Sequence, residues 1–390
     1  MFNTDVIIVG ASAAGLMCAI EAAKRGRQVT ILDHANRAGK KILMSGGGRC
    51  NFTNLDIDSN NYISNNPHFC KSALSRYTQW HFIEYVQRNN IAYHEREHGQ
   101  LFCDNSSKDI LNMLLADAEK HNVTIQLNTI IEKISINDST YRITTTKEKF
   151  TCESLVIASG GLSIPKMGAT PFGYKIAEQF NINILATSAG LVPFTLQPED
   201  KQRLESLSGI AINSIVKTGK IKFKENILFT HRGLSGPAIL QISSYWKPGD
   251  QITINLLPDV SLSEIITSSI RSHPEQILKT LLTQILPKRL INIFFDAALL
   301  ETKIKSLTKT QIESAVNTLH NWSIKPNGTE GYRTAIFRTH IIVKIIKIIL
   351  FMLLISVAYR ILRYHKNDSI CFDNNMRVTP WKLGRNLTVV

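Results

Sequence analysis

What this sequence lacks narrows it first. Its six cysteines are scattered through 390 residues with no CxxC pair, which excludes a disulfide scaffold and fits a reducing cytosol. The opening MFNTDVIIVGASAAG has neither the basic n-region nor the long apolar h-region of a signal peptide, so the start reads as the folded protein itself and a cytoplasmic location is expected. Internal repeats and low-complexity linkers are missing, and 44% hydrophobic against 19% charged residues rules out a disordered chain. The length exceeds the roughly 250–300 residues at which single cores stop growing, so two or more domains are expected.

A stripe of Arg and Lys with interleaved aromatics is also missing. The net charge is +14, but half of it falls in residues 336–390, where nine Lys/Arg meet two Asp and no Glu. The remainder reads as general surface basicity, so the expected partner is a small-molecule substrate and not a nucleic acid.

What is present begins with Asp5-Val-Ile-Ile-Val9, an apolar run ending in Gly10. Helical spacing follows at Leu16, Ala19, Ile20 and Ala23, Gly26 closes the helix, and residues 28–32 form a second strand. That order, β-turn-α-β, predicts a parallel sheet with a right-handed crossover. Residues 110–118 read as an amphipathic helix capped by Ser106 or Ser107, followed by strands near 124–134, 141–146 and 155–158. From Leu191 short alternating segments (221–223, 251–257) give way to helical stretches (262–270, 276–286), which predicts a separate α+β unit.

Gly10-Ala-Ser12-Ala13-Ala14-Gly15 sits between strand and helix as a dinucleotide fingerprint requires. Gly10 permits the tight turn, Gly15 allows close helix-strand packing, and the helix N-terminus offers N–H groups to a pyrophosphate. Ser12 replaces the middle glycine and puts a Cβ where the backbone should approach the phosphate. Asp33, at the end of the second strand, stands where a carboxylate accepts from a ribose. Beyond it, where a plain NAD fold would start another helix, the chain runs Lys40-Lys41, then Ser45-Gly46-Gly47-Gly48-Arg49-Cys50-Asn51. Three glycines in succession expose backbone N–H groups, and the cations suit phosphate or a reduced, anionic flavin. No second Gly-rich strand-turn-helix appears, so any NAD(P)H is expected to dock transiently as electron donor.

GKKILMSGGGRCNFTN (39–54), IASGGLSIPKMGATPFGYKIAE (157–178), LVPFTL (191–196) and LFTHRGLSGPAIL (228–240) resemble the signatures of the BaiN/YhiN-like FAD-dependent oxidoreductases over residues 4–335. The resemblance implies a glutathione-reductase-like FAD-binding Rossmann domain of α/β class over 1–190 with an inserted α+β domain over 191–334. It implies FAD as cofactor, held by Gly10 to Gly15, Asp33, Lys40, Lys41, Ser45 to Asn51 and Gly160, with the Ile131 backbone near the adenine. The family includes reductases of activated C=C bonds, so hydride transfer through flavin to a small molecule is expected, with no catalytic acid or base assigned.

Other motifs compete. His94-Glu-Arg-Glu-His98 is a literal HExxH, but Asn89-Asn90 and Gly99 flank it, so a polar loop is expected in place of a zinc helix. His231 is a candidate acid, Ser235 a helix cap and Cys50 a small packing residue. After Ala335 the resemblance stops: residues 336–390 hold one glycine, one alanine and ten isoleucines. This step suggests a shifted reading frame and loss of the sheet's last strand, with an inactive relic or a membrane-associated nucleotide-binding protein as the alternative function. The apolar run 341–362, flanked by Lys and Arg, is long enough for a membrane anchor.

Overall fold

The computed structural model describes residues 1–63, 66, 68, 70–184 and 188–334, with strand backbone at 337–339, 342–343 and 387–389. The chain divides into two compact units: Met1–Thr187, to which the strand Leu387–Val389 returns, and Ser188–Phe337.

In the first unit β1 (Phe2–Val9), α1 (Ala13–Ala23) and β2 (Val29–Leu32) form the β-turn-α-β order read from the sequence. Gly26, with φ +79°, ends the helical turn, a backbone that costs a Cβ-bearing residue dearly. Next come α2 (Lys40–Met44), β3 (Asn51–Asn54), α3 (Gln79–Arg88), β4 (Tyr93–Arg96), β5 (Gln100–Cys103) and α4 (Ser107–Lys120). Ser106 caps α4 and Asp109 answers back to its N–H, the reciprocal box that settles which serine starts the helix. The predicted strand at 124–134 is two strands, β6 (Thr124–Gln126) and β7 (Ile131–Asn137), because Asn128 (φ +51°) breaks the extended run. β8 (Thr140–Thr145), β9 (Lys149–Ile157) and α5 (Phe172–Gln179) complete the unit.

The sheet runs β6-β2-β1-β9-β8-β7, parallel from β6 to β9 and antiparallel through the final meander. Period-two alternation sends Val6 and Ile8 to one face, with α1 and α4, and Ile7 and Val9 to the other, with the meander. Each such fully buried side chain contributes about 1.5–3 kcal/mol. Leu387–Val389 pairs in parallel with β9, Leu155 opposite Leu387 and Ile157 opposite Val389. The expectation that the sheet lacks its last strand is therefore corrected: a short segment, Leu-Thr-Val, pairs with the end of β9 beyond the part that β8 covers. Of the 341–362 run, Ile342–Val343 is a strand paired antiparallel with Tyr62–Ile63. The rest of that candidate anchor lies outside the described residues, among which no helix is long and apolar enough to cross a membrane.

The second unit contains β10 (Phe194–Thr195), β11 (Ala211–Thr218), β12 (Ile221–Thr230), β13 (Gly233–Ser235), α6 (Pro237–Ile242), β14 (Ile252–Asn255), α7 (Leu262–Ser272), α8 (Leu278–Thr283), α9 (Lys288–Phe294), α10 (Lys309–His320), β15 (Trp322–Ile324) and β16 (Gly328–Thr329). Its antiparallel sheet is ordered β15-β14-β11-β12-β13-β10-β16. Seven strands laid flat would set the two edges roughly 29 Å apart. Those edges, β15 and β16, are consecutive in sequence, and their link spans at most about 14 Å. The sheet therefore curls toward a barrel. Its core includes Phe194 edge-on to Trp246 (5.1 Å) and Phe294 edge-on to Trp322 (5.0 Å).

Candidate dinucleotide and flavin site

The site is built where the parallel strands end. Gly10 adopts φ +116°, and a Cβ there would lie 2.4 Å from the Ala158 carbonyl oxygen. A Cβ on Gly15 would lie 1.8 Å from the Gly10 oxygen, so Gly10 is required by conformation and contact and Gly15, a helical residue, by contact alone. Ser12 occupies the N-cap of α1, but its hydroxyl makes no capping bond and no acid stands in the first turn. The N–H groups of Ala13, Ala14 and Gly15 thus begin an 11-residue helix whose own first turn supplies no side-chain cap and no acid.

Asp33 does more than stand at a strand end. One carboxylate oxygen accepts from the Ala11 N–H at 2.6 Å and the other from the Ala35 N–H at 2.8 Å, so it holds the turn while keeping lone pairs for a further donor. Its own carbonyl accepts from the Thr129 N–H (2.9 Å), and Ala35 accepts from Asn128 (2.9 Å). These bonds bring the approach to Ile131 beside the end of β2. Gly39, which the sequence reading did not single out, donates its N–H to the Ala11 oxygen at 2.8 Å and starts α2 with φ +67°. The AGKK spelling around it was its only signal.

α2 carries Lys40 and Lys41 and delivers the chain to Gly46, Gly47 and Gly48, whose φ values of +58°, +67° and +89° make a left-handed run. Such a run turns successive N–H groups toward one side, a nest for an anion. A methyl on Gly46 would lie 2.6 Å from the Asn51 nitrogen, whereas Gly47 and Gly48 face open space. Ser45 closes the turn by accepting from the Cys50 N–H at 3.0 Å. Lys41 reaches Gly160: a Cβ there would lie 3.5 Å from its Nζ. Asn51 is buried beside Gln100. Arg49 is exposed and donates to the Asp104 carbonyl, a tie to the loop after β5.

Ser159 was also missed. Its hydroxyl is buried without a partner among the described residues, and its nitrogen would lie 3.1 Å from a Cβ on Gly10. An uncapped helix end, a glycine nest and a lysine over Gly160 fit a bound dinucleotide with a flavin end, while the orphaned Ser159 hydroxyl lies against Gly173 of α5. Cys50 is buried at φ +41°, and burial pushes its thiol up to about 11 against the lowering effect of the Ser45 hydroxyl. It is a packing thiol at neutral pH.

The competing motifs resolve differently. His94 lies on β4, with Nδ1 2.6 Å from Asp104 Oδ1 and Nε2 accepting from Arg96 at 3.1 Å, while His98 sits in a turn at φ +61°. The HExxH residues are therefore strand and turn, without the shared helical face that zinc ligation needs. Ser235 belongs to β13, and Gly236 (φ +91°) holds the N-cap of α6 ahead of Pro237; the cap expected at Ser235 is corrected by one residue, because Gly236 accommodates the turn and Pro237 fits the first helical position. His231 is exposed in the turn before β13.

The fold and this turn define an α/β flavoprotein of the FAD-binding Rossmann class, a flavin-dependent oxidoreductase. Residues 4–229 match the HI0933-like protein Rossmann domain and residues 188–337 the HI0933-like protein barrel and H2TH domain; the chain belongs to the HI0933-like family. The chain is 49% identical over 338 residues to the ribosomal RNA dihydrouridine synthase of Escherichia coli, covering 86% of this chain and 84% of that one. It is 46% identical over 339 residues to the protein of the same name from Haemophilus influenzae, covering 85% and 84%. A 3-dehydro-bile acid delta(4,6)-reductase of Clostridium scindens is 24% identical over 302 residues, 73% of each chain.

Proposed function

We propose that this chain is an FAD-dependent reductase that saturates the C5=C6 bond of uridine in ribosomal RNA. The observation that carries the reading is the name shared by the two relatives at 49% and 46% identity, each matched over 84% of its length. It departs from the expectation of a small-molecule substrate without nucleic acid, which rested on the missing Arg/Lys stripe. The uracil C5=C6 bond is conjugated with the C4 carbonyl, so it belongs to the activated double bonds expected of the substrate.

In this reading the Gly10–Gly15 turn and the N–H groups of Ala13, Ala14 and Gly15 take the pyrophosphate. Asp33 accepts from the ribose and the backbone near Ile131 borders the adenine. Lys40, Lys41 and Gly160, with the nest from Ser45 to Asn51, hold the flavin end. FAD, when bound and reduced, would supply the hydride, and solvent would supply the proton that completes the two-electron reduction. NAD(P)H docking transiently is the proposed source of that hydride, and a cytoplasmic location follows from the substrate.

The test is nucleoside mass spectrometry of ribosomal RNA from cells with and without the gene. Dihydrouridine is expected to vanish from a ribosomal site in the deletion strain and return on complementation. An unchanged dihydrouridine content would overturn the reading.

A further inference from the structure

The hairpin of β11 and β12 carries Lys217, Lys220, Lys222 and Lys224 within eight residues that include no acid. Strand register places Lys217 directly opposite Lys222, and both are exposed. Like charges facing across an antiparallel pair are destabilising, so folding alone does not favour them. Lys220 adds a third cation in the turn. Lys224 is paired with Asp259, but Lys217, Lys220 and Lys222 have no carboxylate partner among the described residues.

The row continues across the sheet. Lys217 is opposite Thr253 on β14, and Thr253 is opposite Ser323 on β15. The alternate positions Val216, Ile254 and Trp322 are buried on the inner face, and Phe223 turns inward toward Tyr245 at 5.7 Å. The outer face thus offers ammonium and hydroxyl groups without an exposed aromatic for base stacking. That chemistry matches a phosphodiester backbone, where contacts position the polymer and carry no sequence information.

We infer that the outer face of this hairpin, through Lys217, Lys220 and Lys222, is a docking surface for the phosphate backbone of RNA. The inference rests on the proposed ribosomal RNA substrate for the identity of the polymer and supplies a binding surface that the reading itself does not contain.

The experiment uses the full chain loaded with FAD and in vitro transcribed ribosomal RNA. Binding is measured across a salt series for the wild type, for Lys217→Gln/Lys220→Gln/Lys222→Gln, and for Lys303→Gln/Lys305→Gln/Lys309→Gln. The last has the same charge change at lysines that already face Glu275 and Glu313. Each lost phosphate contact lowers the salt slope by about 0.7–0.9, so the hairpin variant is expected to lose roughly 2–3 from the slope of log K against log salt, with flavin content unchanged. The control variant is expected to keep the wild-type slope. An unchanged slope in the hairpin variant would overturn the surface. Binding to phosphatidylserine vesicles that the hairpin variant loses, while its RNA binding stays intact, would overturn it in favour of a membrane. Dihydrouridine in the transcript is measured in a parallel reaction in which the flavin is first reduced with dithionite: its absence with wild-type protein defeats the substrate reading, whereas its presence with an unchanged hairpin slope defeats only the surface.

Discussion

Gly46 and Gly47 are neighbours in one left-handed run, yet a methyl group meets different surroundings at each. At Gly46 it would collide with the Asn51 backbone, and at Gly47 it would meet nothing. Gly46→Ala is therefore expected to lower the melting temperature well beyond the roughly 1–2 kcal/mol that left-handed backbone costs alanine. Gly47→Ala is expected to cost about that strain alone while weakening flavin retention at least tenfold, because the methyl enters the nest. Thermal melts of the flavin-free protein and flavin absorbance after gel filtration separate the two effects. The cysteines give a second expectation at this scale. Burial pushes Cys18, Cys103 and Cys152 up to about 12 and Cys50 and Cys70 up to about 11. The unfolded thiols ionise first as pH rises, so stability present below the ordinary thiol range is lost above pH 9, at about 1.4 kcal/mol per pH unit for each thiol. Denaturant titrations at rising pH should show this decline, and iodoacetamide should leave native Cys50 unmodified at neutral pH.

Two elements depend on single polar side chains. Asp33 fixes the turn between β1 and α1 through the Ala11 and Ala35 N–H groups. Asp33→Ala should cost about 3 kcal/mol, in line with hydrogen bonds to a charged acceptor, and should weaken flavin binding because the turn is no longer held. In the second unit His320 Nε2 accepts from the Leu262 N–H at 3.3 Å, and Nδ1 donates to Asn255 Oδ1 at 3.0 Å. The imidazole therefore joins α10, α7 and β14 in its neutral form, and burial holds its pKa below the usual range. The unfolded state takes the proton first, so stability present above the ordinary imidazole pKa of about 6.5 is lost as pH falls below it. Melting temperatures at falling pH should drop less steeply in His320→Gln than in the wild type.

At the scale of the molecule, the first βαβ unit was legible because contiguous residues set its strand, turn and helix, and the glycine at each end has a steric reason. Asp33 and the glycine nest were legible for the same reason. Ser159 was not, since its isolation is visible only once β9 lies beside the Gly10 turn. Nor were the outward lysines of β11 and β12: charge counted along the chain looks diffuse, and only strand register puts Lys217 against Lys222. The return of Leu387–Val389 to β9 escaped notice because a three-residue strand carries little periodicity.

The central claim is that flavin held by the first unit delivers hydride to uridine in ribosomal RNA. Its most direct test is an anaerobic reaction of the full chain, its flavin reduced beforehand, with in vitro transcribed ribosomal RNA. Return of the visible flavin band with one dihydrouridine formed per flavin is the expected result. A flavin that stays reduced in the presence of the RNA, with uridine unchanged, would contradict the account.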